Sequence, residues 1–159
     1  MAKIIMLCGR ICCGKTTFAK QYIKKNKAIL LSVDEIMLKI FGQHCGDKHD
    51  EYVKSVKSYL LNKSLELIDA GIDVVLDCGF WKITERTDVK RFYNERNIDT
   101  KLIYFAIKDE TWYRFIDIRN EKVNNNESEA YYIDENLLTK FKNIFENPSE
   151  NEIDEILYL

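Results

Sequence analysis

The stretch Gly9-Arg10-Ile11-Cys12-Cys13-Gly14-Lys15-Thr16, GRICCGKT, decides how the rest of the chain is read. Its spacing is G-x-x-x-x-G-K-[ST]. Before it lies Lys3–Cys8, KIIMLC, a short apolar run rich in β-formers. After it, Phe18, Ala19, Tyr22 and Ile23 recur at helical spacing. A buried strand, a glycine loop and an amphipathic helix in that order form the context in which this spacing holds phosphate. Each part has a physical task. Gly9 and Gly14 permit backbone conformations that aim N–H groups at phosphate oxygens. The helix N-terminus adds its partial positive charge. Lys15 is expected to reach the β- and γ-phosphates, and Thr16 to place its hydroxyl on Mg²⁺. The loop residues Gly9 to Thr17, with Arg10, Cys12 and Cys13 among them, are the candidate contacts for ATP. Cys12 and Cys13 are small enough to serve as packing in the loop.

Outward from the loop, strand and helix signals alternate. Ala28–Val33 is a second apolar run and ends at the acidic pair Asp34-Glu35. A short helix is expected over 35–41, a polar turn over 42–50 and a long helix over 51–70. Asp73–Asp77, DVVLD, is a third strand, stopped by Cys78-Gly79. Thr84 is the expected cap of a helix running to about Arg96, and 101–107 is a fourth strand. Helices follow over 109–122 and 134–146, the latter capped by Asp134, and 153–159 closes the chain as a strand. Alternation of this kind predicts a parallel sheet covered on both faces, an α/β domain. With 159 residues and 46% apolar content, one domain with a packed core is expected.

Composition removes several classes of function. A net charge of -2 offers no bulk electrostatic attraction for a polynucleotide. Five cysteines without a regular framework argue against a disulfide scaffold and suit a reducing cytoplasm. His44, Cys45 and His49 are too sparse for a zinc site. No apolar run is long enough to span a membrane.

In open α/β sheets, ligands sit beyond the carboxyl ends of the strands, where Asp34 and Asp77 both fall. Phosphoryl transfer to a hydroxyl needs a carboxylate beside the attacked O–H and an acidic group near Mg²⁺. Asp34 is the candidate general base, although a helix-capping role is open to it too. Asp77 is the candidate for the metal, or for a bond near the acceptor. Phe80 and Trp81 follow directly and are candidates for an apolar wall, or else for packing on the next helix. Phe41 to Tyr59 is expected to roof the acceptor pocket, and Tyr131 with Tyr132 are candidates to contact adenine.

Four segments in order, GRICCGKTT, SVDEIM, VVLDCGFWKITER and RFIDIRN with FENPSE downstream, resemble the small P-loop kinases of the AAA_33 type. That group is similar to zeta toxins, chloramphenicol phosphotransferase and the kinase domain of polynucleotide kinase. The resemblance covers nearly the whole chain. It implies a three-layer fold with sheet order 2-3-1-4-5, a small helical lid over roughly 119–135, and transfer of the ATP γ-phosphoryl group to a hydroxyl. Roles carry over to Lys15, Thr16, Asp34 and Asp77. Arg86 matches an arginine that faces the site, and Arg119, then Arg114 and Lys122, are candidates for the cation that meets the phosphates. Two departures stand out. Met37 occupies the place where the polynucleotide kinases carry a phosphate-gripping arginine, and the run EKVNNNESEA lacks arginine altogether. Met37 with the net negative charge makes a small-molecule acceptor (nucleoside, sugar or antibiotic) the expectation, while the arginine-poor run bears on the rate of transfer. The alternatives are a 5′-OH polynucleotide kinase and a slow ATP-hydrolysing regulatory protein.

Overall fold

A computed structural model describes residues 1–159. Five strands, β1 (Ile4–Gly9), β2 (Ala28–Ser32), β3 (Asp73–Asp77), β4 (Thr100–Ala106) and β5 (Glu155–Tyr158), form one sheet in the order β2-β3-β1-β4-β5. Every pairing is parallel. The helices are α1 (Lys15–Lys25), α2 (Val33–Phe41), α3 (His49–Asp69), α4 (Ile83–Asn94), α5 (Asp109–Asn124) and α6 (Glu135–Ile144).

The strand period of two sorts β1 between two cores. Ile4, Met6 and Cys8 pack with Leu60 of α3 and Tyr93 of α4. Ile5 and Leu7 pack on the other face with Ala19 of α1 and Cys13 of the loop. All six residues of β1 are buried, as a strand covered on both faces requires. Burying one large aliphatic side chain contributes about 1.5–3 kcal/mol, so this strand anchors the loop that follows it. A third cluster of Trp112, Ile116, Ile133 and Phe141 ties α5 to α6.

Several local expectations shift. Helix α2 begins at Val33 because Ser32, not Asp34, is its cap: Ser32 Oγ accepts from Glu35 N at 3.3 Å. Asp34 is thereby freed from capping. Helix α4 begins at Ile83, so Thr84, expected as its cap, lies inside its first turn. Glu85 replaces the expected cap by accepting from Trp81 N (3.0 Å) and Lys82 N (3.3 Å). Asp134 does cap α6, accepting from Leu137 N at 2.7 Å. The region expected as a small helical lid is the end of α5 followed by an irregular strap through Asp134.

Candidate active site

Gly9 and Gly14 are needed for different reasons. A Cβ on Gly9 would stand 2.8 Å from Cys13 Sγ and 3.0 Å from Phe105 Cβ, so β4 and the returning loop leave no room for one. Gly14 has φ 88°, the left-handed region that glycine enters without strain. Cys12 also takes a left-handed backbone, φ 58°, in place of a third glycine. Its Sγ bonds Phe115 O at 3.1 Å, and Cys13 is fully buried, so both thiols pack the loop as expected. Burial pushes the Cys12 thiol up, against the opposing pull of Arg119. Burial likewise raises Cys8 to about 11 and Cys78 to about 12. All five cysteines are free.

Lys15 is buried and its Nζ donates to Gly9 O (3.1 Å), Arg10 O (2.6 Å) and Cys13 Sγ (3.5 Å). Burial works against the charged form, but Cys13 and Asp77 outweigh it, and the lysine titrates above its ordinary value. Thr16 Oγ1 donates to Asp77 Oδ2 at 2.8 Å. The register explains this meeting: Met6 pairs with Leu76 and Ser32 pairs with Asp77, so β1, β2 and β3 end at one edge. Thr17 is exposed on the first turn of α1.

Asp34 lies two residues past Ser32, exposed in the first turn of α2 at the same edge of the sheet and crowded by the protein around it. That crowding raises its pKa, and Asp77 raises it further, while Lys15, Arg119 and His49 pull it down. Four separated parts of the chain thus act on one carboxyl. Arg119 acts on both Asp34 and Cys12 and forms no ion pair of its own. Arg114 is exposed and lies beside Phe115, and Lys122 is exposed near the end of α5.

Helix α5 braces the loop along one face. Arg10 pairs with Asp109 and lies 4.6 Å from the Trp112 ring centroid. Trp112 Nε1 donates to Ile11 O at 2.7 Å. Positions 109, 112, 116 and 119 follow the helical repeat, so the face that grips the loop also carries Arg119. The indole bond to Ile11 left no mark that reading the residues detected. The spacing of Asp109, Trp112 and Arg119 was a usable signal.

Three expected site residues are placed elsewhere. Arg86 does not face the cleft. It is fully buried, donates to Phe80 O and Glu146 O (3.0 Å each), and pairs with Glu152 at 2.7 Å. Its guanidinium is spent on joining α4 to the chain before β5. Phe80 is 2% exposed with φ 52°, a left-handed conformation that costs a bulky residue about 1–3 kcal/mol. Trp81 packs edge-on against Phe141, ring centroids 5.1 Å apart. Neither forms an open wall, although Phe80 contributes to a small pocket of about 140 Å³ with Leu61, Cys78 and Val89. The Tyr131 ring lies 6.5 Å from that of His49, and Asp34 acts on its phenol.

No group of three or more His, Cys, Asp or Glu side chains gathers to hold a metal. The paired oxygens of Thr16 and Asp77 nevertheless suit Mg²⁺, which takes one or two protein oxygens and completes its shell with water and substrate phosphates.

The sheet order, the phosphate loop and the strand-end carboxylates define an α/β protein of the P-loop, kinase-like fold. The chain belongs to the AAA domain family AAA_33, whose model matches residues 4–148. No curated protein matches the sequence. Among solved structures, a putative kinase from Chloroflexus aurantiacus is 12% identical with TM-score 0.73, covering 99% of this chain and 87% of that one. The APS kinase of Mycobacterium tuberculosis, in complex with AMPPNP and APS, is 14% identical with TM-score 0.64, covering 99% and 88%. A chain of the Pnkp1/Rnl/Hen1 RNA repair complex is 20% identical with TM-score 0.72, covering 88% of this chain and 42% of that one. These are likenesses of fold. No helix is long and apolar enough to cross a membrane.

Proposed function

We propose that the protein transfers the γ-phosphoryl group of ATP to a hydroxyl of a small molecule in the cytoplasm. The observation that carries this reading is the convergence on Asp34: one carboxylate, held above its ordinary pKa, within the field of Lys15, Asp77, Arg119 and His49. ATP as donor accords with the loop geometry and with a similar fold that holds AMPPNP.

In this reading Asp34 accepts the proton of the acceptor hydroxyl. The acceptor oxygen bonds to the γ-phosphorus as the bond from that phosphorus to the β-bridging oxygen breaks, and ADP leaves. Lys15 and Arg119 hold the charge that spreads over the equatorial oxygens. Thr16 and Asp77 would hold Mg²⁺, which would neutralise charge on the phosphates. Met37, at the place where a polynucleotide kinase grips phosphate, is fully buried and cannot be replaced in that role by a neighbour on its own face of α2. A small acceptor is favoured over a nucleic-acid end on that ground.

The test pairs two variants. Lys15→Ala is expected to abolish ATP binding in calorimetry. Asp34→Asn is expected to keep ATP bound yet lower transfer by about 10²–10⁴, the usual worth of a positioned base. A screen of hydroxyl-bearing metabolites, antibiotics and 5′-OH oligonucleotides with γ-labelled ATP supplies the acceptor. Labelling of oligonucleotides alone, or normal transfer by Asp34→Asn, defeats the reading.

A further inference from the structure

The strap between α5 and α6 is held by two side-chain amides that read its backbone. Gln43, just past α2, donates from Nε2 to Ala130 O at 2.9 Å and accepts at Oε1 from Tyr132 N at 3.1 Å. Asn120, next to Arg119 on α5, donates to Ile133 O and accepts from Ile133 N, both at 2.8 Å. Lys39 on α2 pairs with Glu129. An amide that bonds the main chain on both sides of one residue fixes which way that residue turns. Tyr132 turns out, 43% exposed. Tyr131 turns in and packs against the core cluster that contains Val33 and Met37 of α2. Its ring meets His49 edge-on. Burial lifts its phenol to about 12, and Asp34 adds to that shift, which places the hydroxyl within the field of the candidate base.

Charge defines the same side of the cleft. Asp34 and Asp77 supply two carboxylates. Lys39 on α2, Lys57 on α3 and Arg86 on α4 are already paired with Glu129, Glu85 and Glu152. Lys15 and Arg119, the lysine and arginine that act on Asp34, are engaged with the ATP phosphates in this reading, so an anionic acceptor would meet the two carboxylates. An aromatic ring accepts a planar or ring-bearing molecule by stacking, at about 0.5–1.5 kcal/mol beyond area burial.

We propose that Tyr131 is the acceptor-positioning residue, presented by the Gln43–Asn120 clamp, and that the acceptor is an uncharged, ring-bearing alcohol held between the Tyr131 ring and Asp34. This rests on the phosphotransferase reading. It goes beyond it by naming the acceptor's chemistry and the residue that selects it.

The experiment uses the whole chain with γ-labelled ATP and matched probes: uridine and thymidine, their 5′-monophosphates, and glycerol as an uncharged alcohol without a ring. Wild type is expected to label the nucleosides and to leave the monophosphates and glycerol nearly unlabelled. Tyr131→Ala is expected to raise the nucleoside KM about tenfold, the loss of roughly 1.4 kcal/mol, with the KM for ATP unchanged. Tyr131→Phe, which keeps the ring, is expected to restore it. Gln43→Ala is expected to raise the same KM by less, and thermal melts confirm that each variant folds. Preferential labelling of monophosphates or glycerol overturns the inference. So does an unchanged nucleoside KM in Tyr131→Ala, or no labelled probe while Lys15-dependent ATP hydrolysis persists. Loss of that hydrolysis in wild type would instead take down the phosphotransferase reading, and this inference with it.

Discussion

The two halves of the cleft are built in opposite ways. The phosphate side is one contiguous loop whose contacts come from its own backbone and from Lys15 and Thr16. The proposed acceptor side draws on Asp34, Gln43, His49 and Tyr131, with two side-chain clamps holding the strap that carries Tyr131. A local loop can be recognised from spacing alone, because backbone N–H groups do the binding and the sequence must only let the chain bend. An assembled surface has no such spacing. In the proposed reading, donor binding therefore rests on one segment and acceptor binding on how distant segments meet.

Arg119 acts on Asp34 in the acceptor half and on Cys12 of the phosphate loop, so its removal tests the comparison most severely. Arg119→Ala is expected to lower turnover by about 10³–10⁵, the range for a cation that meets transferring phosphoryl oxygens. The KM values for ATP and acceptor are expected to change little. Steady-state kinetics with both substrates varied checks this. A large rise in the ATP KM with unchanged turnover would assign Arg119 to ground-state binding on the phosphate side only. Arg114→Ala, on the exposed side of α5, is expected to leave turnover near wild type.

Arg86 sharpens the comparison from the structural side. It was expected in the acceptor half and proves to be a buried clamp. Arg86→Ala would strand Glu152 and the carbonyls of Phe80 and Glu146. Breaking a buried pair in this way costs about 3–5 kcal/mol, read as a lower denaturant midpoint. The folded fraction is expected to keep its acceptor KM. A variant that folds as well as wild type but binds acceptor poorly would return Arg86 to the site.

Much of the fold was readable because strand and helix periods differ. KIIMLC, AILLS and DVVLD are continuous apolar runs bounded by turn residues, and all three are central or paired parallel strands. The order β2-β3-β1-β4-β5 matches what the family resemblance implied. The phosphate loop was readable for the same reason. Arg86 was not, because its partners Phe80, Glu146 and Glu152 lie up to 66 residues away and carry no periodicity with it. Gln43 and Asn120 were missed because a carboxamide that bonds main chain looks in sequence like any polar surface residue. Asp34 was found as a candidate, but its release from capping depends on Ser32, a residue that gives no sign of the role until the helix start is known.

The smallest expected effect concerns Asp34 and separates its chemistry from its stability. Its pKa is raised in the folded protein, chiefly by the crowding of the cleft and then by Asp77. Between the ordinary aspartate value, about 3.9, and that raised value, the folded state binds more protons than the unfolded state. Stability therefore falls as pH rises through this window, and the ionised carboxylate is a modest liability above it. Transfer runs the other way, because the base must be ionised, so activity is lost as pH falls through the raised value. Asp34→Asn is expected to melt slightly higher than wild type at pH 7, with the difference shrinking as pH is lowered through the window. Thermal melts across pH check the first, and the acid limb of kcat for wild type checks the second. A carboxylate whose removal stabilises the protein while silencing it would mark the acceptor half as the side where stability is given up for chemistry. If Asp34→Asn melts lower at pH 7, the carboxylate is a structural anchor and the functional contrast between the two halves weakens.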